Sequence, residues 1–133
     1  MSVTPAIVLQ PGSHVAGKVM DGELVAINLR TGLYYSSSGI GAVIWQLMEA
    51  GHAMESISTT ISEGLKVPSE RVRTDVAAFL QRLLDEDLVT AAESAPGAPG
   101  TVAIAYANGY EAPSLTSYDD MEKAFALDPP LRA

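Results

Sequence analysis

The chain has 133 residues, no cysteine, and 16 acidic against 8 basic side chains, a formal net charge of −8 at pH 7. That length suits one ordinary domain plus a short extension, and the missing thiols exclude a disulfide framework, a cysteine nucleophile and a thiolate metal site. The acid excess is spread over the chain, ten acids to six bases in Met1–Ala91 and six to two in the rest; it opposes a phosphate backbone, and no apolar run approaches the length of a membrane span.

Taken in order, the first residues, MSVTPAIVLQPGS, lack a basic start followed by a long apolar core. No secretory signal is expected there, and a cytoplasmic protein is the simplest reading. His14 to Met20 (HVAGKVM) reads as a first strand, weakened by Gly17 in its middle. Asp21-Gly22 then marks a tight hairpin turn, because both central residues of that turn need positive φ. The run after it alternates, Val25, Ile27 and Leu29 against Leu24, Ala26 and Asn28, which is the period of a half-buried strand. Arg30-Thr31-Gly32 makes the next turn. Leu33, Tyr34 and Tyr35 form a third strand, with Tyr35 in phase with Leu33 on the inner face and Tyr34 pointing the other way. Ser36 to Ser38 close that strand and offer hydroxyls to cap a helix.

Three helices follow. From Gly39 to Ala50, Ile40, Val43, Ile44, Leu47 and Met48 recur at helical spacing, and Trp45 beside them reads as core. A weaker helix runs from Met54 to Leu65, bracketed by Gly64 and Pro68. The third is the strongest: Ser69 is placed to cap it, Val72, Val76, Phe79, Leu80, Leu83 and Leu84 form its stripe, and it ends near Asp87. Leu88 to Thr90 reads as a short extended return. The class is therefore α+β, a three-stranded antiparallel sheet followed by three helices. Ala91 to Gly100 (AAESAPGAPG) has almost nothing to bury, and the domain boundary belongs there. The divisions are residues 1–91 as the domain, 92–105 as an Ala/Pro/Gly linker and 106–133 as a tail. That tail regains Tyr106, Tyr110, Leu115, Tyr118, Met121, Phe125 and Leu127, more apolar and aromatic side chains than a disordered tail carries, so it is expected to dock on something.

Catalytic machinery is not evident. His14 and His52 fall in an edge strand and a loop and read as surface residues. The metalloprotease, phosphate-loop and nucleophile-elbow patterns do not occur. Asp85, Glu86 and Asp87 lie at a helix end, where the dipole disfavours them, and read as a solvated run. Asp119, Asp120 and Glu122 read as the start of a short helix from Tyr118 to Ala126. No catalytic residue, metal or cofactor is assigned. What remains is binding: an open edge at the third strand is able to accept an extended peptide by strand addition.

Three strings carry a resemblance: Asn28 to Tyr35 (N-L-x-T-G-x-Y-Y), Gly41 to Trp45 (G-x-x-I-W) and Asp75 to Val89 (D-V-x-x-F-L-x-x-L ending in L-V). In this order they resemble the PqqD-like family, also called RiPP recognition elements, over about Val15 to Thr90. The resemblance implies a winged helix-turn-helix domain with no enzymatic activity of its own. It would bind the leader segment of a ribosomally made precursor peptide and present it to a modifying enzyme. The leader would add beside the third strand, between Gly32, Leu33, Tyr34, Tyr35 and Ser36 on one wall and Arg71, Val72, Asp75, Val76 and Phe79 of the third helix on the other. Ser37 departs from the family pattern, where many relatives have Leu.

In the tail, Tyr110, Pro113 and Leu115 have the form Y-x-x-P-x-L, which looks like the motif that lasso-peptide leaders use to engage such domains. Several uses are open: a leader mimic, a self-presented substrate or a gate in the groove of its own or a neighbouring chain; a tail that packs elsewhere or contacts the modifying enzyme; or a precursor carrying its own recognition domain. A winged-helix regulator of transcription is the competing class, and the charge weighs against it.

Overall fold

The computed structural model describes residues 3, 4, 6–92 and 110–118. A three-residue strand, β1 (Leu9–Pro11), precedes an antiparallel meander of β2 (Val15–Met20), β3 (Glu23–Asn28) and β4 (Leu33–Ser38). Three helices follow, α1 (Ile40–Glu49), α2 (Met54–Leu65) and α3 (Ser69–Asp85), then β5 (Val89–Ala91) and β6 (Thr116–Tyr118). The sheet is therefore four-stranded, in the order β2-β3-β4-β6, where the sequence led us to expect three strands. A separate two-stranded ladder joins β1 to β5, Leu9 opposite Ala91 and Pro11 opposite Val89. The class is α+β.

The β2–β3 hairpin turns on Asp21 (φ 53°) and Gly22 (φ 77°), the doubly positive pair whose twist matches that of the strands. The alternation of β3 is now assigned a side: Leu24, Ala26 and Asn28 are buried, and Leu29 is exposed. Gly17 has a positive reason to be in β2. A Cβ there would stand 2.7 Å from Trp45 Cζ2, so its absence lets the indole of α1 lie against the strand. Trp45 is wholly buried, as are Ala42, Val43, Ile44 and Leu47 around it, and α1 touches β1, β3, β4 and α2. It is the central helix of the core.

Two capping expectations are corrected. The N-cap of α1 is Gly39 (φ 62°), and no serine hydroxyl caps it. That of α3 is Pro68, with Ser69 already inside the helix. Proline suits the position because it has no N–H to lose and a fixed φ. The second helix spans Met54–Leu65 as expected, with Lys66 in the left-handed conformation as its C-cap.

Asp85 is exposed as expected, but the surface readings of Glu86, Asp87 and His14 are corrected. Asp87 takes a left-handed φ of 60° after α3, and its carbonyl accepts from Asn28 Nδ2 at 3.2 Å and His14 Nε2 at 2.8 Å. Its carboxylate lies 2.8 Å from Arg30 Nη1. Asn28 is fully buried; its amide also donates to the Glu86 carbonyl, and its Oδ1 accepts from the Arg30 and Thr31 N–H groups. One asparagine thus ties the β3–β4 turn to the end of α3. His14 is half-buried and structural, and His52 is half-buried with Nδ1 on Ser56 Oγ at 2.8 Å. The linker expectation falls on residues outside those described, save Ala92. Tyr118, expected to open a helix, instead ends β6, and residues 119–126 lie outside the described set.

Candidate functional site

The site is the outer edge of β4 together with the face of α3 that looks across to it. On its inner side β4 is held by the ladder to β3 and by Tyr35, which is 1% exposed and donates its hydroxyl to Glu86 Oε1 at 2.8 Å. Burial, then the hydrogen bond to Glu86, pushes the Tyr35 phenol up to about 12. This fixes β4 against the C-terminal end of α3. At its other end the groove floor is set by Gly41 of α1. A Cβ there would collide with Ser37 and stand 3.2 Å from Phe79 Cζ, so the missing side chain lets the strand and α3 come close.

The other edge of β4 is occupied. β6 pairs antiparallel with it, Tyr34 opposite Tyr118, Tyr35 opposite Ser117 and Ser36 opposite Thr116. Ser36 Oγ lies 3.2 Å from the Tyr118 hydroxyl, and the Ser37 hydroxyl donates to the Ser114 carbonyl at 2.5 Å. Preceding β6, Leu115 is 7% exposed and belongs to the main hydrophobic core. Burying a leucine to that degree is worth about 1.5–3 kcal/mol. Five residues earlier, Tyr110 lies against α3. Its hydroxyl donates to Asp75 Oδ2 at 2.7 Å, and the Arg71 guanidinium stands 5.0 Å over its ring. Arg71 and Asp75 are one helical turn apart, so a single face of α3 presents both groups to the ring. Burial first, then the bond to Asp75 and its negative charge, push the Tyr110 phenol above its ordinary range, with Arg71 opposing. Between these anchors a cleft of about 360 Å3 remains, lined by Asp75, Ala78, Phe79 and Arg82 of α3 and by Ala112, Pro113, Ser114 and Leu115.

The residues singled out from sequence are distributed as follows. Tyr34, Tyr35 and Ser36 sit opposite β6; Arg71 and Asp75 meet Tyr110; Phe79 lines the cleft. Val72 and Val76 are wholly buried in the core cluster that also holds Leu115. Leu33 is half-buried and pairs with Asn28, outside the β6 register. Gly32 (φ 80°) is an exposed turn residue with open space around it. Ala78 and Arg82, which line the cleft, carry no signal in the sequence, and Ser37 is singled out there only as a departure. Its polarity at an inward position of β4 was the available signal. Among the described residues no group of three or more His, Asp or Glu side chains is placed to hold a metal ion, and no helix is long and apolar enough to cross a membrane.

This arrangement is suited to reading an extended peptide: a backbone ladder for affinity, and apolar and phenol-accepting positions for side-chain selection. The family model described as coenzyme PQQ synthesis protein D (PqqD) matches residues 23–89, half of the chain. Among solved structures, the chain is similar to TbiB1 in complex with the TbiA(beta) leader peptide, at 28% identity and a TM-score of 0.59, covering 64% of this chain and 99% of that one. It also shares its fold with lasso peptide synthetase B1 complexed with the leader peptide, at 18% identity and a TM-score of 0.58, covering 62% and 98%. No curated protein matches the chain significantly.

Proposed function

The chain belongs to the PqqD family, and we propose that it binds the leader segment of a ribosomally made precursor peptide and presents it to a peptide-modifying enzyme, without a catalytic step of its own. The leader adds as a strand at the outer edge of β4, between Tyr34–Ser36 and the Arg71–Phe79 face of α3. The observation that carries this is the β4 edge itself: Thr116–Tyr118 pair with it in antiparallel register, and the residues just before them, with Tyr, Pro and Leu at positions 110, 113 and 115, lie against α3 and the core, the tyrosine bonded to Asp75. The similarity to a leader-peptide complex across nearly the whole length of TbiB1 supports it independently. Ribosomal peptides are modified where they are made, so the place of action is the cytoplasm.

The test is a titration of the isotope-labelled full-length chain with synthetic leader peptides carrying Tyr-x-x-Pro-x-Leu, followed by NMR. Amide shifts concentrated in Leu33–Ser38 and Arg71–Phe79 are expected. Shifts elsewhere, or none at millimolar peptide in both the full-length chain and its Leu115→Asp variant, overturn the proposal. Tight, sequence-selective binding to duplex DNA at low salt would favour a transcriptional regulator instead; the net charge of −8 predicts its absence.

A further inference from the structure

We infer that Tyr110–Tyr118 is a built-in competitor: the chain's own segment fills the groove between β4 and α3, and an outside peptide gains the groove only by displacing it. This rests on the proposed peptide-binding role of that groove. Three separate features of the site are used at once by nine consecutive residues. The strand edge is taken by Thr116–Tyr118, the apolar position by Leu115, and the Arg71/Asp75 pair by Tyr110. A segment merely resting on the surface would not place a leucine in the central core, nor direct a phenol onto the one carboxylate of that helix turn.

The occupant is also built to leave. Glu111, Ala112, Ser114, Thr116 and Ser117 are exposed, so only every second or third residue is anchored. Its small side chains leave the 360 Å3 cleft beside Phe79 and Arg82 unfilled. An incoming peptide with a larger side chain at the place of Ala112 or Ser114 has room to bury it and would bind more tightly, residue for residue. What favours the resident segment is attachment. Being part of the same chain, joined through residues 93–109, it is present at the groove at an effective concentration on the order of millimolar. The apparent affinity for an outside peptide is its intrinsic affinity multiplied by the fraction of time the groove is empty. Exchange therefore selects against weak ligands, and admits only those that exceed the resident's own contacts.

The experiment uses full-length protein and a fluorescein-labelled peptide of the chain's own sequence, YEAPSLTSY (residues 110–118), read by fluorescence polarisation. Leu115→Asp removes the buried anchor of the resident segment, and the labelled peptide should then bind at least tenfold more tightly than to the unaltered chain. A second variant covers the case in which Leu115→Asp perturbs the core. Ser36 and Thr116 are directly opposed, a separation within disulfide range, and the chain has no other cysteine. Ser36→Cys with Thr116→Cys, oxidised, should form a bridge within one chain and lose peptide binding, and reduction should restore it by at least tenfold. Equal affinity for the unaltered chain and Leu115→Asp, undiminished binding by the oxidised form, or a bridge that forms only between two chains or not at all, overturns the inference and leaves the groove's role standing. Absence of peptide binding by every variant, including the reduced one, overturns both.

Discussion

The Ser37 hydroxyl donates to the Ser114 carbonyl at 2.5 Å, one residue beyond the last backbone pair of β4 with β6, Ser36 with Thr116. A side chain thus continues a ladder that the backbone has ended. Because the bond lies between two parts of one chain far apart in sequence, it bears on the resident segment and little on the domain. Ser37→Ala should weaken the segment's hold by about 1 kcal/mol, the usual net worth of such a bond. Hydrogen exchange at Thr116–Tyr118 should quicken about fivefold, since 1 kcal/mol is roughly a factor of five in an equilibrium, while the exchange of α1 amides stays as it was.

Asn28 is a different kind of polar residue, fully buried and bonded on both sides of its amide. Asn28→Ala leaves the Arg30 and Thr31 N–H groups and the Glu86 and Asp87 carbonyls without this partner. A loss of about 2–3 kcal/mol is expected, because a fully buried amide and its four hydrogen bonds are removed at once. Urea unfolding followed by Trp45 fluorescence measures it.

Gly17→Ala tests whether the glycine in β2 is a weakness or a requirement. The added methyl would stand 2.7 Å from Cζ2 and 3.2 Å from Cε2 of the Trp45 indole, a rigid ring with no room to retreat. Alanine suits a strand better than glycine where space permits, so a requirement and a weakness give opposite signs. The expected result is destabilisation by about 1–3 kcal/mol from overpacking, read as a lower urea midpoint with an unchanged slope.

The raised phenol of Tyr35 makes the fold lose stability in strong alkali. Between its ordinary value near 10 and its folded value of about 12, the unfolded chain has released the proton while the folded chain still holds it. The unfolded state then binds fewer protons, so stability is fully present below pH 10 and falls as pH rises through 12. Two units correspond to roughly 2–3 kcal/mol. Tyr110 shifts in the same direction, so the contribution of Tyr35 is isolated by Tyr35→Phe, which should flatten the urea midpoint between pH 9.5 and 12 relative to the unaltered chain.

Local signals made most of the domain readable. The Asp21-Gly22 hairpin, the alternation of β3 and the three helical stripes each depend on neighbours within a few residues, and the elements formed where those signals lie. What escaped reading depends on distant parts of the chain. β1 is three residues long and is held by its partner some 80 positions on, β5, which lies where Leu88 to Thr90 reads as an extended return. The hydroxyls of Ser36 to Ser38 were read as helix caps because caps are the local use for serine, whereas Ser36 and Ser37 bond to a segment nearly 80 residues further on. Glu86 and Asp87 read as solvated for the same reason; their partners, Tyr35, Asn28, His14 and Arg30, are more than 50 residues away. Tyr110, Pro113 and Leu115 were noticed through resemblance to a motif, and periodicity offered no hint of the strand at Thr116–Tyr118.

The β1–β5 ladder has a consequence for where this fold can be joined to another chain. With Leu9 opposite Ala91, the two ends of the stretch from β1 to β5 lie side by side. A module with adjacent entry and exit is transplantable: it fits into a surface loop of a larger enzyme with little rearrangement of host or guest, and tolerates circular permutation at the same corner. Nature and protein engineers alike have, at that corner, a ready splice point that lies apart from the β4 edge.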